Sequence, residues 1–328
     1  MNNVLAKNIP AKEIFIRNKQ AVNFIIKLII AAGLLLFIID KINPKEILNA
    51  ISSSYYYLII ISFALCFLNL YLQFLKWETV CKNYLKIDSK KKIFLSLFHG
   101  FAAGIFTPAR IGEYFSRGLA LKEKSIFQIA AATFVDKFFS LLAVAFFGGI
   151  SFIIYLNYFY SISPYTSILV FGLVAGIIYF LFHQIFKDAI FGFIPDKIKQ
   201  KIWLQKLLLY FDNLGKLDHK FVLKMVFISA AFYFCYLIQF VILIAAFSHS
   251  LDFFKYLLNG SLIMFTKTVI PQISVGELGI REGVSIYFFT KAGEAASTAF
   301  NASIFLFLIN LAFPSLIGLI LLYKKSND

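Results

Sequence analysis

Two stretches of this sequence place a carboxylate and a guanidinium four residues apart in otherwise apolar surroundings. Gly112-Glu113-x-x-x-Arg117 lies in FTPARIGEYFSRGLAL, and Gly276-Glu277-x-x-x-Arg281 lies in IPQISVGELGIREGVSIYFF. A proline precedes each, Pro108 and Pro271, and an apolar arm beginning near Gly100 or Gly260 leads into each. Residues four apart share a helix face, so each pair can neutralise itself as a structural ion pair. Alternatively, the arginines can hold a lipid phosphate bidentately while the carboxylates tune that charge or bind an amine. A charged side chain deep in a bilayer costs about 2.5–3.5 kcal/mol on insertion scales, hence about 10 kcal/mol for four. The duplication of that cost points to a partner or a use for the charge.

Further candidates surround the two pairs. Arg110 sits at the first break and either faces a site or snorkels to the interface. Lys267 precedes the second break, and Glu282 follows Arg281. Asp136 falls inside an apolar run and can pair with Arg117 or Arg281. Its neighbour Lys137 lies about 100° away around a helix and need not pair with it. Gly112, Gly276 and Gly279, with Pro108 and Pro271, read as hairpin breaks. A half-helix beginning at either break would expose N–H groups suited to phosphate. Asn69, Gln73 and Gln239 read as interhelical hydrogen-bonding residues.

Signatures of enzymes are missing from the sequence. It has no DxD, HExxH, GxSxG or Walker motif. His99, His183, His219 and His249 are scattered, and Cys66, Cys81 and Cys235 have no metal-binding spacing. We therefore expect no catalytic residues, no metal and no cofactor. That weighs against an enzyme without deciding the point, since Glu113, Glu277 or Asp136 could supply a general base.

The elements that position these residues are membrane spans. Of 328 residues, 60% are hydrophobic, 18% aromatic and only 15% charged, with a mean hydropathy of +0.80. Soluble domains carry about 25% charged residues. The net charge of +15 lies mostly between apolar runs, where it signals topology rather than nucleic-acid binding. The expected fold is an all-α polytopic membrane protein in one integral domain, residues 1–328. About six full spans are expected, at about 22–39, 55–75, 126–149, 166–186, 221–247 and 298–323. The first run reads as a retained span rather than a cleaved signal. Two broken regions, about 93–121 and 257–290, have arms too short for a hydrocarbon core of about 30 Å; those of the first are about 14 and 11 residues.

Loop charge sets the expected orientation. Residues 76–92 and 187–220 are lysine-rich, whereas 150–165 carry no charge. Both basic loops belong in the cytoplasm by the positive-inside rule. That requires the first broken region to return to its own side as a re-entrant hairpin. The same count brings the second hairpin in from outside and leaves both termini cytoplasmic. Span–hairpin–span then occurs twice in opposite orientation, at 55–149 and 221–323, as an inverted repeat. Residues 187–220 are the connector, with 195–216 either an interfacial amphipathic helix or a plain basic loop. Residues 44–54 are also expected along the membrane surface.

PQISVGELGIREG resembles the P-x-S-x-G-G-x-G-x-R-E-G segment of the flippase-like transmembrane region associated with lysylphosphatidylglycerol synthases. TPARIGE is similar to that family's earlier P-x-R-x-G-E/D segment. Leu75-Lys76-Trp77-Glu78 resembles its R-W-x motif with lysine for arginine, and Val135-Asp136-Lys137 its intramembrane acidic position. The resemblance spans nearly the whole chain. Glu277 stands where the family has its second glycine, and Arg117 follows Gly-Glu at a longer distance than is usual. The resemblance implies a stand-alone membrane part, without the soluble aminoacyl-transferase domain, that moves or binds a lipid.

The leading expectation is a lipid translocase in the cell membrane. It would pass a phosphate-bearing or aminoacylated lipid through a charged cavity lined by Arg110, Glu113, Arg117, Asp136, Lys267, Glu277, Arg281 and Glu282. Its partners would be a membrane phospholipid or a polyprenyl-linked lipid, with a separate lipid-modifying enzyme as a possible associate. The alternatives are an integral-membrane transferase using a lipid-linked donor, and a non-catalytic envelope scaffold. Without an ATP-binding element, transport would be downhill, ion-coupled or partner-dependent.

Overall fold

A computed structural model describes residues 36–40, 42–107, 110–169, 218–270 and 277–327, with Gly33, Gly172 and Gly176. Every regular element among them is helical. Pro108, Pro271 and Gly276 lie outside the described residues, as do 195–216 and most of the spans expected at 22–39 and 166–186. Four described helices are long and apolar enough to cross a membrane: Tyr56–Leu85, Ile126–Tyr160, His219–Ser248 and Ala296–Lys324.

Helix α1 (Pro44–Ser52) starts where the Asn43 side chain accepts the Lys45 N–H and Pro44 takes the first turn. Helix α2 (Tyr56–Val80) continues into a π turn, Cys81–Leu85, and ends at Lys86 in the left-handed conformation. Helix α3 (Lys90–Gly104) is capped by Ser89 and stops short of the first break. Beyond the break, α4 (Gly112–Ser116) and a 3-10 turn, Arg117–Leu119, form the return arm. This arm is tighter than the eleven-residue helix expected from the sequence. Helix α5 (Ile126–Tyr160) opens with a reciprocal cap between Ser125 and Gln128, which satisfies two otherwise orphaned N–H groups.

The second half begins with α6 (His219–Ser248). Helix α7 (Phe253–Val269) is capped by Asp252 and runs to the second break. Helix α8 (Ile280–Lys291) returns from it. Helix α9 (Ala296–Phe307) passes through a π turn, Leu308–Ala312, into α10 (Phe313–Asn327) as one long span.

Helices α2 and α6 lie side by side and antiparallel. The Tyr55 N–H donates to Ala246 O at one end, and Gln239 Nε2 donates to Ser62 O further along. Because each hairpin follows directly from one of these helices, the two hairpin bases lie at opposite ends of the bundle. An ion pair closes each base. Lys92 meets Glu123 at 3.0 Å, and Lys255 meets Glu294 at 2.6 Å. Both lysines are the third residue of their arm. At the solvated base of the first hairpin, a backbone N–H and the Lys92 ammonium hold the Glu123 carboxyl below the usual carboxylate range.

The hairpins pack across the halves. Arm α3 lies on α10, and arm α7 lies on α5. The core gathers in two main apolar clusters, one around Phe240, Leu262 and Phe289 and one around Trp77, Phe101 and Leu121. Outside them, Ile60, Phe67, Phe146 and Phe227 are well exposed, as suits helices solvated by lipid. At the far end of α5, Lys291 donates to Tyr160 Oη at 2.8 Å. Its ammonium lies within 6 Å of the Tyr155, Phe159, Tyr160 and Tyr287 rings, tying α5 to α8.

Candidate functional site

The first break brings four basic side chains around two carboxylates. Arg110 has φ 54 and Glu277, opening the second return arm, has φ 64. Left-handed backbone costs a non-glycine residue about 1–2 kcal/mol. Such strain at two breaks is characteristic of functional segments held in place by their surroundings. At the first, Thr107 Oγ1 accepts the Gly112 N–H at 2.8 Å and donates back to helix α3. A Cβ on Gly112 would sit 2.6 Å from Ala103 O, so only glycine allows this turn to close.

Glu113 is fully buried, and three cations surround it. Lys137 Nζ lies 2.6 Å from Oε2, while Arg110 Nη2 and Arg117 Nη2 lie 3.1 and 3.5 Å from Oε1. Arg117 also donates from Nη1 to Asp136 Oδ2 at 3.0 Å. Its guanidinium stacks 4.1 Å from the Trp77 ring. Lys76 lies 3.3 Å from the other Asp136 oxygen and bonds Ser140 Oγ. Of the two pairings open to Asp136 in the sequence, the one made is with Arg117.

The second break pairs differently from the first. Glu113 reaches Arg117 four residues on, but Glu277 turns back to Lys267 at 3.1 Å. Arg281 pairs with the adjacent Glu282 at 2.6 Å, donates to Ser303 Oγ at 3.1 Å and faces the Phe307 ring. Glu282 also accepts the Gly279 N–H at 2.7 Å, capping α8 after Gly279 reverses the chain at φ 86. The N–H groups of Gly112 and Gly279 are thus taken by Thr107 and Glu282.

Between the two breaks lies a cavity of about 290 Å³. It is lined from every long helix of both halves. Arg110, Lys137, Lys267 and Glu277 reach it with side chains 14–25% exposed. Lys76, Asp136 and Arg281 line it with 4–5% exposed. Arg117 and Glu113 stand behind this lining, at 1% and 0%. Glu282, also fully enclosed, supports Arg281 rather than facing the cavity.

The lining residues that fell outside the candidates drawn from sequence include Lys76, Lys137 and Asn310. Lys76 was visible only as the basic residue before Trp77, and Lys137 only as the neighbour of Asp136. Asn310 is the fifteenth of the 29 residues in Ala296–Lys324, about 21 Å from either end. It lies in the π turn of the last span, a feature often found at functional sites. Its amide N and O are buried without hydrogen-bond partners, yet the residue lines the cavity. A polar residue within an apolar run was the only signal available for it. Among the described residues, no group of three His, Cys, Asp or Glu side chains is arranged to hold a metal.

Spanning helices, two broken hairpins and a charged cavity between them define an all-helical integral membrane protein with a buried polar site. The chain belongs to the lysylphosphatidylglycerol synthase transmembrane-region family, whose profile matches residues 24–318. No individually curated protein matches it. The family relates the chain to lipid modification or translocation.

Proposed function

We propose that this protein is a lipid translocase of the cell membrane. The cavity receives a phosphate-bearing or aminoacylated headgroup while the acyl chains stay in the bilayer. One observation carries the reading: a charged cavity lies between the breaks of two hairpins whose bases are at opposite ends of the bundle. Closing one base side while opening the other exposes the same residues alternately to either leaflet.

The reading treats 55–149 and 221–323 as inverted copies, with both termini and the 187–220 connector in the cytoplasm. The exchanged packing of α3 on α10 and α7 on α5 supports it. So do the equivalent lysine clamps at the two hairpin bases. Rocking of one half against the other needs no nucleotide site and accommodates a separate lipid-modifying enzyme as supplier of substrate.

The transferase reading has less support. Glu113 and Asp136 each have at least two cations within ion-pair distance, and Glu277 is held by Lys267. A carboxylate so engaged serves poorly as a general base.

Proteoliposomes containing the purified protein and NBD-labelled lipids, quenched from outside with dithionite, test the proposal. Quenching of more than the outer-leaflet half, reduced in Lys137→Gln and Lys267→Gln variants that keep the wild-type melting temperature, supports translocation. Wild-type traces equal to empty liposomes for phosphatidylglycerol, its lysyl ester and a polyprenyl phosphate would overturn it.

A further inference from the structure

The formal charges of the site do not cancel. Lys76, Arg110, Arg117 and Lys137 surround only two carboxylates at the first break, whereas Lys267 and Arg281 meet two at the second. The excess of two positive charges therefore lies around the first break, on residues of α2, the first hairpin and α5. Unpaired charge away from water is strongly unfavourable, so the surplus is relieved either by loss of a lysine proton or by an anion, and the cavity beside Lys137 and Lys267 has room for an anion. Arg110, Lys137 and Lys267 retain exposed surface toward the cavity, and the Asn310 amide there has no protein partner.

We propose that the cavity selects a lipid whose compact headgroup ends in a phosphomonoester dianion. This rests on the lipid-translocase reading and narrows its substrate. A phosphodiester brings one negative charge and leaves one cation unmatched. A lysyl ester of a diester carries up to two ammonium charges against one phosphate charge and adds to the excess. A terminal phosphate brings two charges and three acceptor oxygens, matching Lys137 and Lys267 as donors with the Asn310 amide as a further one. The volume agrees: about 290 Å³ lies just below the usual range of ligand cavities, about 300–1,000 Å³, and suits a phosphate rather than an oligosaccharide.

Calorimetric titration of the full chain in neutral detergent tests this at about pH 8, where a phosphomonoester is dianionic. The probes are dioctanoyl phosphatidate, dioctanoyl phosphatidylglycerol, dioctanoyl lysyl-phosphatidylglycerol, farnesyl phosphate and inorganic phosphate. We expect both lipid monoesters to bind at least about tenfold more tightly than either diester, a difference of about 1.4 kcal/mol. Asn310→Ala should weaken the monoesters about fivefold. Lys137→Gln should lose the preference, and Lys137→Arg should keep it.

Equal affinity for phosphatidate and phosphatidylglycerol would overturn the charge match while leaving an anionic-lipid carrier standing. Preference for the lysyl ester would overturn it in favour of an aminoacylated substrate. Inorganic phosphate binding as tightly as farnesyl phosphate would make the ligand a free anion and overturn the lipid assignment. Absence of binding by every lipid, with the fold intact, would remove the translocase reading as well.

Discussion

Gly148 and Gly318 each lie 22 residues after the first residue of their helices, Ile126–Tyr160 and Ala296–Lys324, and each receives the opposite hairpin. A Cβ on Gly148 would stand 2.6 Å from Phe265 Cβ of α7. One on Gly318 would stand 2.1 Å from Phe98 O and 3.1 Å from Ala102 Cβ of α3. The same position in two helices thus allows the same close crossing.

Adding that Cβ forces an arm away from its span. Gly318→Ala and Gly148→Ala should each destabilise by about 1–3 kcal/mol, as overpacking does. Gly318→Ala should cost more, because its contact is a backbone carbonyl. Gly283→Ala, whose Cβ would meet only Ile38 Cδ1 at 4.0 Å, should be neutral or stabilising by up to about 1 kcal/mol. Melting curves in detergent measure the difference. Equal curves for all three would show that these crossings do not hold the hairpins.

The charge network should divide into residues that hold the fold and residues that serve the cavity. Arg117 bridges Glu113 and Asp136 with 1% of its side chain exposed, so Arg117→Gln should destabilise by about 3–5 kcal/mol. Lys137→Gln leaves Glu113 with two cations and should cost less. Denaturation read by tryptophan fluorescence checks the order, Trp77 being in contact with Arg117. A larger loss from Lys137→Gln would reverse the assignment.

How far this was legible in the sequence depends on the kind of information. The breaks announced themselves through proline and glycine, and the buried charges through their cost in an apolar run. Which charges pair was hidden. Glu113–Arg117 and Glu277–Arg281 have the same spacing, yet Glu277, whose backbone takes the left-handed conformation, pairs with Lys267. Lys76 joins Asp136 from another helix, 60 residues away, a distance that no local periodicity reports. Asn310 acquires meaning only when the cavity beside it is known.

The hairpin bases should differ in strength. Lys92 and Glu123 are 51% and 41% exposed, and Glu123→Gln should change stability by less than about 1 kcal/mol. Glu294 is 11% exposed and accepts from both Lys255 and Tyr256, so Glu294→Gln should cost more, about 1–3 kcal/mol. Thermal melts of the two variants make the comparison, and equal values would remove the distinction.

Orientation can be checked with the same two positions. Cysteines at residues 123 and 294 should react with a membrane-impermeant maleimide from opposite sides of sealed vesicles. The native Cys66, Cys81 and Cys235 are buried, which keeps background labelling low. Labelling of both from one side would refute inverted halves.

The turn at Gly112 ties the fold to the proposed transport. Thr107→Val removes the acceptor of the Gly112 N–H and should cost about 1–2 kcal/mol. Dithionite traces should slow with it, while Thr107→Ser should preserve both stability and rate. An unchanged rate in Thr107→Val would separate the turn from the transport step.

The surplus of positive charge around the first break also has an electrical consequence. A membrane potential does work of about 2.3 kcal/mol per 100 mV on each elementary charge that crosses the full field. An empty cavity with two uncancelled charges experiences that work over whatever fraction of the field it traverses. A cavity holding a dianion experiences none. In the proposed translocase, voltage would then act on the return of the vacant site.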